Sequence, residues 1–354
     1  MIKTKYNVIG VMSGTSLDGI DLAHVTFELD SIWTFKIHNA ETISYTEDWK
    51  EILSNLVNYK WESLQHIDDD YTVYLSGVIN DFIHKYQLNT IDAICSHGHT
   101  ALHQPENNLT YQIGNRKQIA ELTKQNVVCD FRIQDVEFGG QGAPLVPIGD
   151  QILFAEYDFC LNLGGFANIS FEKNNNRMAF DICPVNIVLN HYSKKIGLEY
   201  DANGGSASEG EVNQLLLKAL NEMEFYQLKF PKSLGLEWVN SNVIPIIDDY
   251  KLKVKDVLRT VVEHIAIQIN NVLKLQSNAS VLATGGGVYN TFLMNRLKDL
   301  SEHKIVLPSE DIIEYKEALI FGLLGVLKLR NETNCLASVT GAIRNHSSGI
   351  IHTF

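Results

Sequence analysis

No apolar run in this 354-residue chain approaches the roughly 18 residues that a helical membrane span needs. Positive charge is in deficit as well: 29 Lys and Arg stand against 42 Asp and Glu, for a formal net charge of −13. That balance argues against nucleic acid or an anionic membrane surface as the main partner. It leaves a small anion open, since a few local N–H groups and one cation suffice to hold it. Cysteine is scarce, odd in number and scattered (Cys95, Cys129, Cys160, Cys183, Cys335), mostly inside apolar runs. Buried thiols in a reducing compartment are expected, and no Cys/His spacing suggests zinc. The opening MIKTKYNVIGVMSGTS turns polar too soon for a signal peptide, so a cytoplasmic chain is expected. Short repeats, low-complexity tracts, a GxxxxGK[ST] loop and a GxGxxG fingerprint are all missing. What remains is 45% apolar and 20% charged, an ordinary globular composition, at a length that predicts two domains.

Against that plain background Gly10–Asp21, GVMSGTSLDGID, stands out. It lies between the apolar runs Tyr6–Val11 and Ile20–Phe27, which predicts strand, small-residue turn, strand. Gly14, Thr15, Ser16 and Gly19 carry little bulk, so backbone N–H groups can approach an anion, and Thr15 and Ser16 add hydroxyls. Asp18 and Asp21 fit beside a phosphate if a divalent cation lies between. An ordinary hairpin with a polar turn is the other account. Helical spacing then covers about 49–56 and 64–86, followed by strand Ile91–Cys95, which runs into Ser96–Thr100. Strand Leu109–Ile113, a helix over Lys117–Lys124 and strand Val127–Phe131 continue an αβ alternation, expected to build a mixed or parallel sheet flanked by helices. Gly139–Pro147, GGQGAPLVP, reads as a hinge. The expected domains are 1–140, with 337–354 packing back on it, and 141–336.

The second half repeats the outline of the first. Strand Phe159–Leu163, turn Gly164-Gly165 and strand Ala167–Phe171 form another hairpin, and Arg177–Phe180 is a strand ending at Asp181. Pro184 sits in the first turn of a helix over Asn186–Lys194. Helix Val254–Leu275 leads to strand Ser280–Ala283, the turn Thr284–Asn290 (TGGGVYN) and helix Thr291–Leu300. In the last helix, Glu314–Arg330, Gly322 and Gly325 permit close packing. Two hairpin turns can grip a polyphosphate from two sides, and a strand–GGG–helix offers N–H groups and flat backbone to an adenosine. This layout resembles the actin, hexokinase and heat-shock ATPase superfamily: an α/β fold of two ribonuclease-H-like domains with ATP in the interdomain cleft.

The motifs narrow the resemblance. GVMSGTSLDGID (10–21), SHGHTALHQP (96–105), YQIGN (111–115), CDFRIQDVEFGGQGAPLVP (129–147), LNLGGFANIS (161–170), TGGGVYN (284–290), EAL (317–319) and SVTGA (338–342) span nearly the whole chain. Together they resemble the anhydro-N-acetylmuramic acid kinases. The resemblance implies conversion of 1,6-anhydro-N-acetylmuramic acid, ATP and water into N-acetylmuramic acid 6-phosphate and ADP in peptidoglycan recycling, with ATP and Mg²⁺ bound, by a homodimer. It implies Asp181 as general base, Asp18 as the acid that orients Mg²⁺, and Glu317 as a second carboxylate near the sugar. It assigns Gly14, Thr15, Ser16, Leu17, Asp18, Gly19, Ile20, Asp21, Gly164, Gly165, Asn168, Gly285, Gly286, Gly287 and Asn290 to the nucleotide. His97, Asp130, Arg132 and Gln141 fall to the sugar, Arg132 being suited to a bidentate pair with the lactyl carboxylate. Lys232 and Ser233 are weaker candidates for the rim of the sugar site.

Several of these residues admit structural accounts. Asp181 is also a good helix N-cap, Glu317 a first-turn helix acid, His97 a structural loop histidine, and Arg132 a salt-bridge partner for Asp135. His97, His99 and His103 lie within seven residues, so a metal site is conceivable there. The expected DTGPGN segment is here DICPVN, with Ile182, Cys183 and Val185 replacing a Thr and two glycines. A β-branched residue disfavours positive φ, so a contact to phosphate or water is expected to be lost or rerouted. Cys183 as a nucleophile has no His partner nearby in the sequence. Two rivals follow: a kinase of the same fold for another sugar, and a nucleotide-binding regulator without catalysis.

Overall fold

The computed structural model describes residues 3–14 and 16–354, so Thr15 of the first turn lies outside the described residues. The chain divides into two compact units: the residues up to Leu153 with Tyr315–Phe354, and Phe154–Glu314.

In the first unit, β1 (Lys5–Ser13), β2 (Ile20–Leu29) and β3 (Trp33–Ile43) form an antiparallel meander. β4 (Ala93–Gln104) runs parallel to β1, β5 (Leu109–Ile113) folds back on β4, and β6 (Val127–Cys129) adds parallel to β4. The order is therefore β3-β2-β1-β4-β6. The apolar face of this sheet packs against helix Trp61–Lys85 through Leu64, Tyr71, Leu75, Ile79 and Phe82. On the other face, helix Glu310–Leu329 comes so close that a Cβ on Gly10 would lie 1.9 Å from the Ala318 carbonyl oxygen. A Cβ on Gly325 would lie 2.1 Å from Cys95 Sγ, so the small residues expected to permit close packing do so.

The second unit repeats this plan. β7 (Phe159–Leu163), β8 (Phe166–Lys173) and β9 (Asn176–Pro184) are an antiparallel meander. β10 (Ser280–Thr284) lies parallel to β7, and β11 (Lys304–Val306) parallel to β10, for the order β9-β8-β7-β10-β11. With the hairpin strand β5 left out of the count, each core sheet has the order 3-2-1-4-5, the ribonuclease-H-like arrangement. Helix Val254–Leu273 fills the second core with Val257, Leu258, Val261, Val262, Ile265 and Ile269. The last strand, β12 (Ile350–His352), returns to pair antiparallel with β6 of the first unit. All five cysteines are free and buried, as composition suggested, and no helix of the described residues is long and apolar enough to cross a membrane.

The unit boundaries fall later in the first crossing and earlier in the second than the expected 140/141 and 336/337. Helix Val146–Leu153 buries Pro147, Ile148 and Leu153, and its Gly149 packs on Ile320, which keeps GGQGAPLVP inside the first unit. The return coincides with a break in helix Glu310–Leu329 at Tyr315 (φ −110°, ψ 16°).

Candidate functional site

The first turn leaves β1 at Ser13, whose side chain is buried. Ser13 Oγ takes the Tyr71 hydroxyl at 3.0 Å, contacts His99 Nδ1 at 2.7 Å and also meets the Tyr45 hydroxyl. This hydroxyl–imidazole cluster anchors the strand end from which the turn springs. Leu17 adopts φ 62° and its N–H closes the turn on the Gly14 carbonyl at 3.3 Å. Its side chain meanwhile packs toward the core. A Cβ on Gly14 would only touch Ser16 Oγ, at 3.5 Å, so no other described residue crowds the turn there. Asp18 is exposed and its carboxylate has no bonded partner among the described residues. Asp21 accepts the Thr42 hydroxyl at 2.6 Å inside the β2–β3 ladder. Ile20 is fully buried and paired on both sides, with Ser13 and Ile43, so a role toward a ligand does not suit it.

A second group gathers where β4 and β6 end in the same unit. Arg132 donates from Nε to His97 Nε2 at 2.8 Å and from Nη1 to the Gly142 carbonyl at 2.6 Å. Arginine only donates, so His97 Nε2 accepts and its Nδ1–H donates to the Gly98 carbonyl at 2.8 Å. Both ring nitrogens are thus used within the protein. Burial, with Arg132 beside it, holds the imidazole well below its ordinary pKa. His97 therefore orients Arg132 and has no ring nitrogen left over for a further hydrogen bond in this arrangement. Arg132 makes no ion pair with Asp135 among the described residues, because Asp135 is turned to the Gly142 N–H (2.7 Å) and the Thr340 hydroxyl (2.7 Å). Asp130 (φ 57°) accepts Asn115 Nδ2 at 2.8 Å, and burial pushes its carboxyl up to about 6. Glu317 sits two residues past the Tyr315 break, not in the first turn of its helix. One side of it is exposed, yet protein around its other faces pushes the carboxyl up while Arg132 and Lys316 pull it back. Gln141 is exposed and its N–H donates to Thr340.

In the second unit the second and third turns are neighbours, because Thr284 at the end of β10 pairs with Asn162 on β7. A Cβ on Gly285 (φ 82°) would lie 2.6 Å from Asn162 Oδ1, and one on Gly287 2.8 Å from Leu163 Cβ. Around Gly286 there is nothing within 4 Å, so that residue presents its backbone to open space. The carbonyls of Gly164 and Gly165 accept N–H groups from Asn186, Ile187 and Val185. The first turn of helix Asn186–Lys194 is thus spent on the glycine turn and gives nothing to Asp181. Asn290 is a helix cap, its Oδ1 accepting the Leu293 N–H at 3.0 Å under Gly204, which diverts it from a ligand.

Asp181 departs from its expected place. It does not end a strand or cap a helix: β9 continues to Pro184 and the cap position belongs to Val185, φ −125°. Asp181 pairs with the exposed Asn168 across β8–β9, at a bulge that makes Ile182 the extra residue. On the open edge its N–H donates to the Lys232 carbonyl at 3.0 Å, and Oδ2 accepts the Leu234 N–H at 2.8 Å. Burial raises its carboxyl above the usual range and Leu234 opposes this. The three replaced positions, Ile182, Cys183 and Val185, are core residues. Burial pushes the Cys183 thiol up, against a nucleophilic role. Lys232 is turned away, donating to the Phe225 carbonyl at 2.9 Å.

Sequence reading missed the residues that orient others: Asn115 on Asp130, Gly142 on Arg132, and Leu234 on Asp181. It also missed that Cys335 and His346 approach each other, whereas the three clustered histidines form no metal group among the described residues. Among solved structures, an activator of the 2-hydroxyisocaproyl-CoA dehydratase from Clostridium difficile with bound ADPNP gives a TM-score of 0.47 at 16% identity, covering 92% of this chain and 96% of that one. A family model described as anhydro-N-acetylmuramic acid kinase matches residues 6–353. The anhydro-N-acetylmuramic acid kinase of Haemophilus influenzae is 34% identical over 373 residues, with 97% of each chain covered. That of Mannheimia succiniciproducens is 35% identical over 377 residues, with 99% of each covered. With matches of this length and identity, the chain belongs to the anhydro-N-acetylmuramic acid kinase family.

Proposed function

We propose that this enzyme adds water across the 1,6-anhydro bridge of 1,6-anhydro-N-acetylmuramic acid and transfers the γ-phosphoryl group of ATP to the freed O6. The products are N-acetylmuramic acid 6-phosphate and ADP, in cytoplasmic recycling of peptidoglycan. The family match over residues 6–353 carries this reading.

Asp181 takes the proton of the water that attacks the anomeric carbon. It is half-buried and retains a single backbone donor, which leaves lone pairs for that proton. As the C1–O6 bond breaks, O6 is captured by phosphorus, so no separate acid needs to protonate the leaving oxygen. Arg132, held at Nε by His97 and at Nη1 by Gly142, keeps N–H groups on Nη1 and Nη2 to offer the lactyl carboxylate. Glu317, which faces Arg132, and Asp130 serve as acceptors for sugar hydroxyls. Gly14, Ser16, Leu17 and Gly19 of the first turn and Gly164-Gly165 of the second serve the phosphates, and Gly285–Gly287 serve the adenosine. Asp18 is an exposed hard-oxygen donor without a partner among the described residues, which suits Mg²⁺; that ion would supply neutralisation of phosphate charge.

A coupled ADP-release assay with the authentic anhydro sugar tests the reading. ADP production that depends on that sugar is expected. No ADP above background would overturn it, and release with another hexose instead would transfer the function to that sugar. A homodimer, the assembly implied for the family, would show by light scattering as twice the 39.8 kDa chain mass.

A further inference from the structure

The C-terminal segment of the first unit folds into a small hairpin. Cys335 and His346 exchange both backbone hydrogen bonds, Cys335 N–H to His346 O at 3.1 Å and His346 N–H to Cys335 O at 3.2 Å. Residues paired in this way have their side chains side by side. Asp135, from helix Ile133–Glu137, reaches the same point. One ligand atom from each of Asp135, Cys335 and His346 lies within 4.8 Å of the other two, and all three residues are buried.

The hydrogen bonding of this cluster is incomplete in one respect. His346 Nδ1 lies 3.1 Å from the Arg344 carbonyl, which can only accept, so Nδ1 carries the proton. The lone pair of a neutral His346 is then on Nε2, which is buried without a hydrogen-bond partner among the described residues and lies 3.6 Å from Asp135 Oδ1. Asp135 Oδ1 already accepts the Thr340 hydroxyl and the Cys335 thiol, so the unsatisfied atom is His346 Nε2, and a bound cation would remove the cost of leaving it so. Cys335 Sγ, 3.0 Å from the same carboxylate oxygen, supplies a third donor.

We propose that Asp135, Cys335 and His346 form a structural binding site for a divalent transition metal, with zinc the ion that the donor set favours. Thiolate, imidazole and carboxylate together are zinc chemistry, and the site leaves a fourth position for an oxygen donor. The Thr340 hydroxyl, 2.7 Å from Asp135 Oδ1, stands beside it. Outer contacts of the expected kind are present: His346 Nδ1–H on the Arg344 carbonyl and Asp135 Oδ2 on the Gly142 N–H. On binding, the Cys335 thiol proton leaves to solvent. One dication then balances one thiolate and one carboxylate, so Arg132 nearby faces a neutral cluster. The metal would tie the C-terminal hairpin to the loop that holds Gly142, and through Gly142 to Arg132. This inference does not rest on the proposed reaction.

Because the site is buried, it loads on folding. The full chain is produced in zinc-depleted medium supplemented with cobalt, and separately in zinc-containing medium for elemental analysis. Expected are one metal per chain, a thiolate-to-cobalt charge-transfer band in the near ultraviolet, and visible bands of tetrahedral cobalt. Cys335→Ser should abolish the charge-transfer band, and His346→Gln should lower the bound cobalt at least tenfold after dialysis. The wild-type spectrum needs no variant to fold. A folded wild-type chain with neither metal above background overturns the proposal, as does a cobalt spectrum that survives Cys335→Ser.

Discussion

Asp181→Asn separates catalysis from stability. The substitution keeps an oxygen acceptor for the Leu234 N–H, whose present bond is 2.8 Å, and leaves the Asp181 N–H on Lys232 untouched. The fold should therefore survive. What disappears is the ability to take a proton from water, and a positioned general base contributes about 10²–10⁴-fold. At about 1.36 kcal/mol per decade this is roughly 3–5 kcal/mol of transition-state stabilisation. ADP release should fall by that factor while ATP still binds. Stability should move the other way. Burial raises the folded pKa of Asp181 above its unfolded value, so the ionised carboxylate is a cost in the folded state. That cost is complete above the folded pKa and vanishes below the unfolded one. Asp181→Asn removes it, so the variant should melt no earlier than wild type at neutral pH, and the two should converge as pH falls into the carboxylate range. The acid limb of wild-type kcat/KM should lie above that range, because activity is lost as pH falls through the raised pKa. Activity retained to within tenfold would show that another group is the base. Lost activity accompanied by a large drop in Tm would show that Asp181 is structural.

Three further outcomes can be checked directly. Gly285→Ala combines a positive φ, worth about 1–3 kcal/mol in this sparsely populated region, with a Cβ 2.6 Å from Asn162 Oδ1, and overpacking adds about 1–3 kcal/mol. It should lower Tm markedly, whereas Gly286→Ala, with nothing within 4 Å, should keep Tm and raise KM for ATP. Arg132→Lys loses the planar donor fork and the bond to His97; a charge-assisted hydrogen bond of about 1.5–3 kcal/mol corresponds to a rise of roughly 10–150-fold in KM for the sugar, with KM for ATP unchanged in steady-state kinetics. Reaction in ¹⁸O water should label O1 of the product sugar and leave the phosphate unlabelled by mass spectrometry; label in phosphate would mean plain ATP hydrolysis.

Much of the architecture was legible because both meanders and their parallel partners alternate or run apolar between glycine turns. Strand Leu109–Ile113 and helix Thr291–Leu300 appear at the expected residues. β3 was not legible: as an edge strand its burial alternates with exposure, and His38–Thr42 carries little apolar signal. The candidate site was legible as a set of residue types and not as a set of partners. Which groups Asp181, Arg132 and His97 touch depends on contacts between distant stretches, such as the bond from Leu234 to Asp181, and no local pattern carries that. The same holds for Cys335 and His346, whose spacing matches no zinc signature and which meet Asp135 only through the fold.

The DICPVN departure shows which of these layers governs the base. A glycine turn before helix Asn186–Lys194 would aim Asp181 through local backbone freedom. Here Ile182, Cys183 and Val185 are packed into the core instead, and Val185 has a negative φ. Two other constraints hold Asp181. The β8–β9 bulge at Ile182 shifts the register by one residue, so that Asp181 lies opposite Asn168. The 230–235 segment then pins Asp181 from the open edge, taking its N–H at Lys232 and giving it the Leu234 N–H. Neither constraint uses a glycine or the missing threonine hydroxyl. The aim of the carboxylate therefore needs neither that hydroxyl nor glycine freedom, and the changed residue Ile182 is itself the bulge. For the base role proposed for Asp181, the departure leaves the carboxylate held by the β8–β9 bulge and the 230–235 segment.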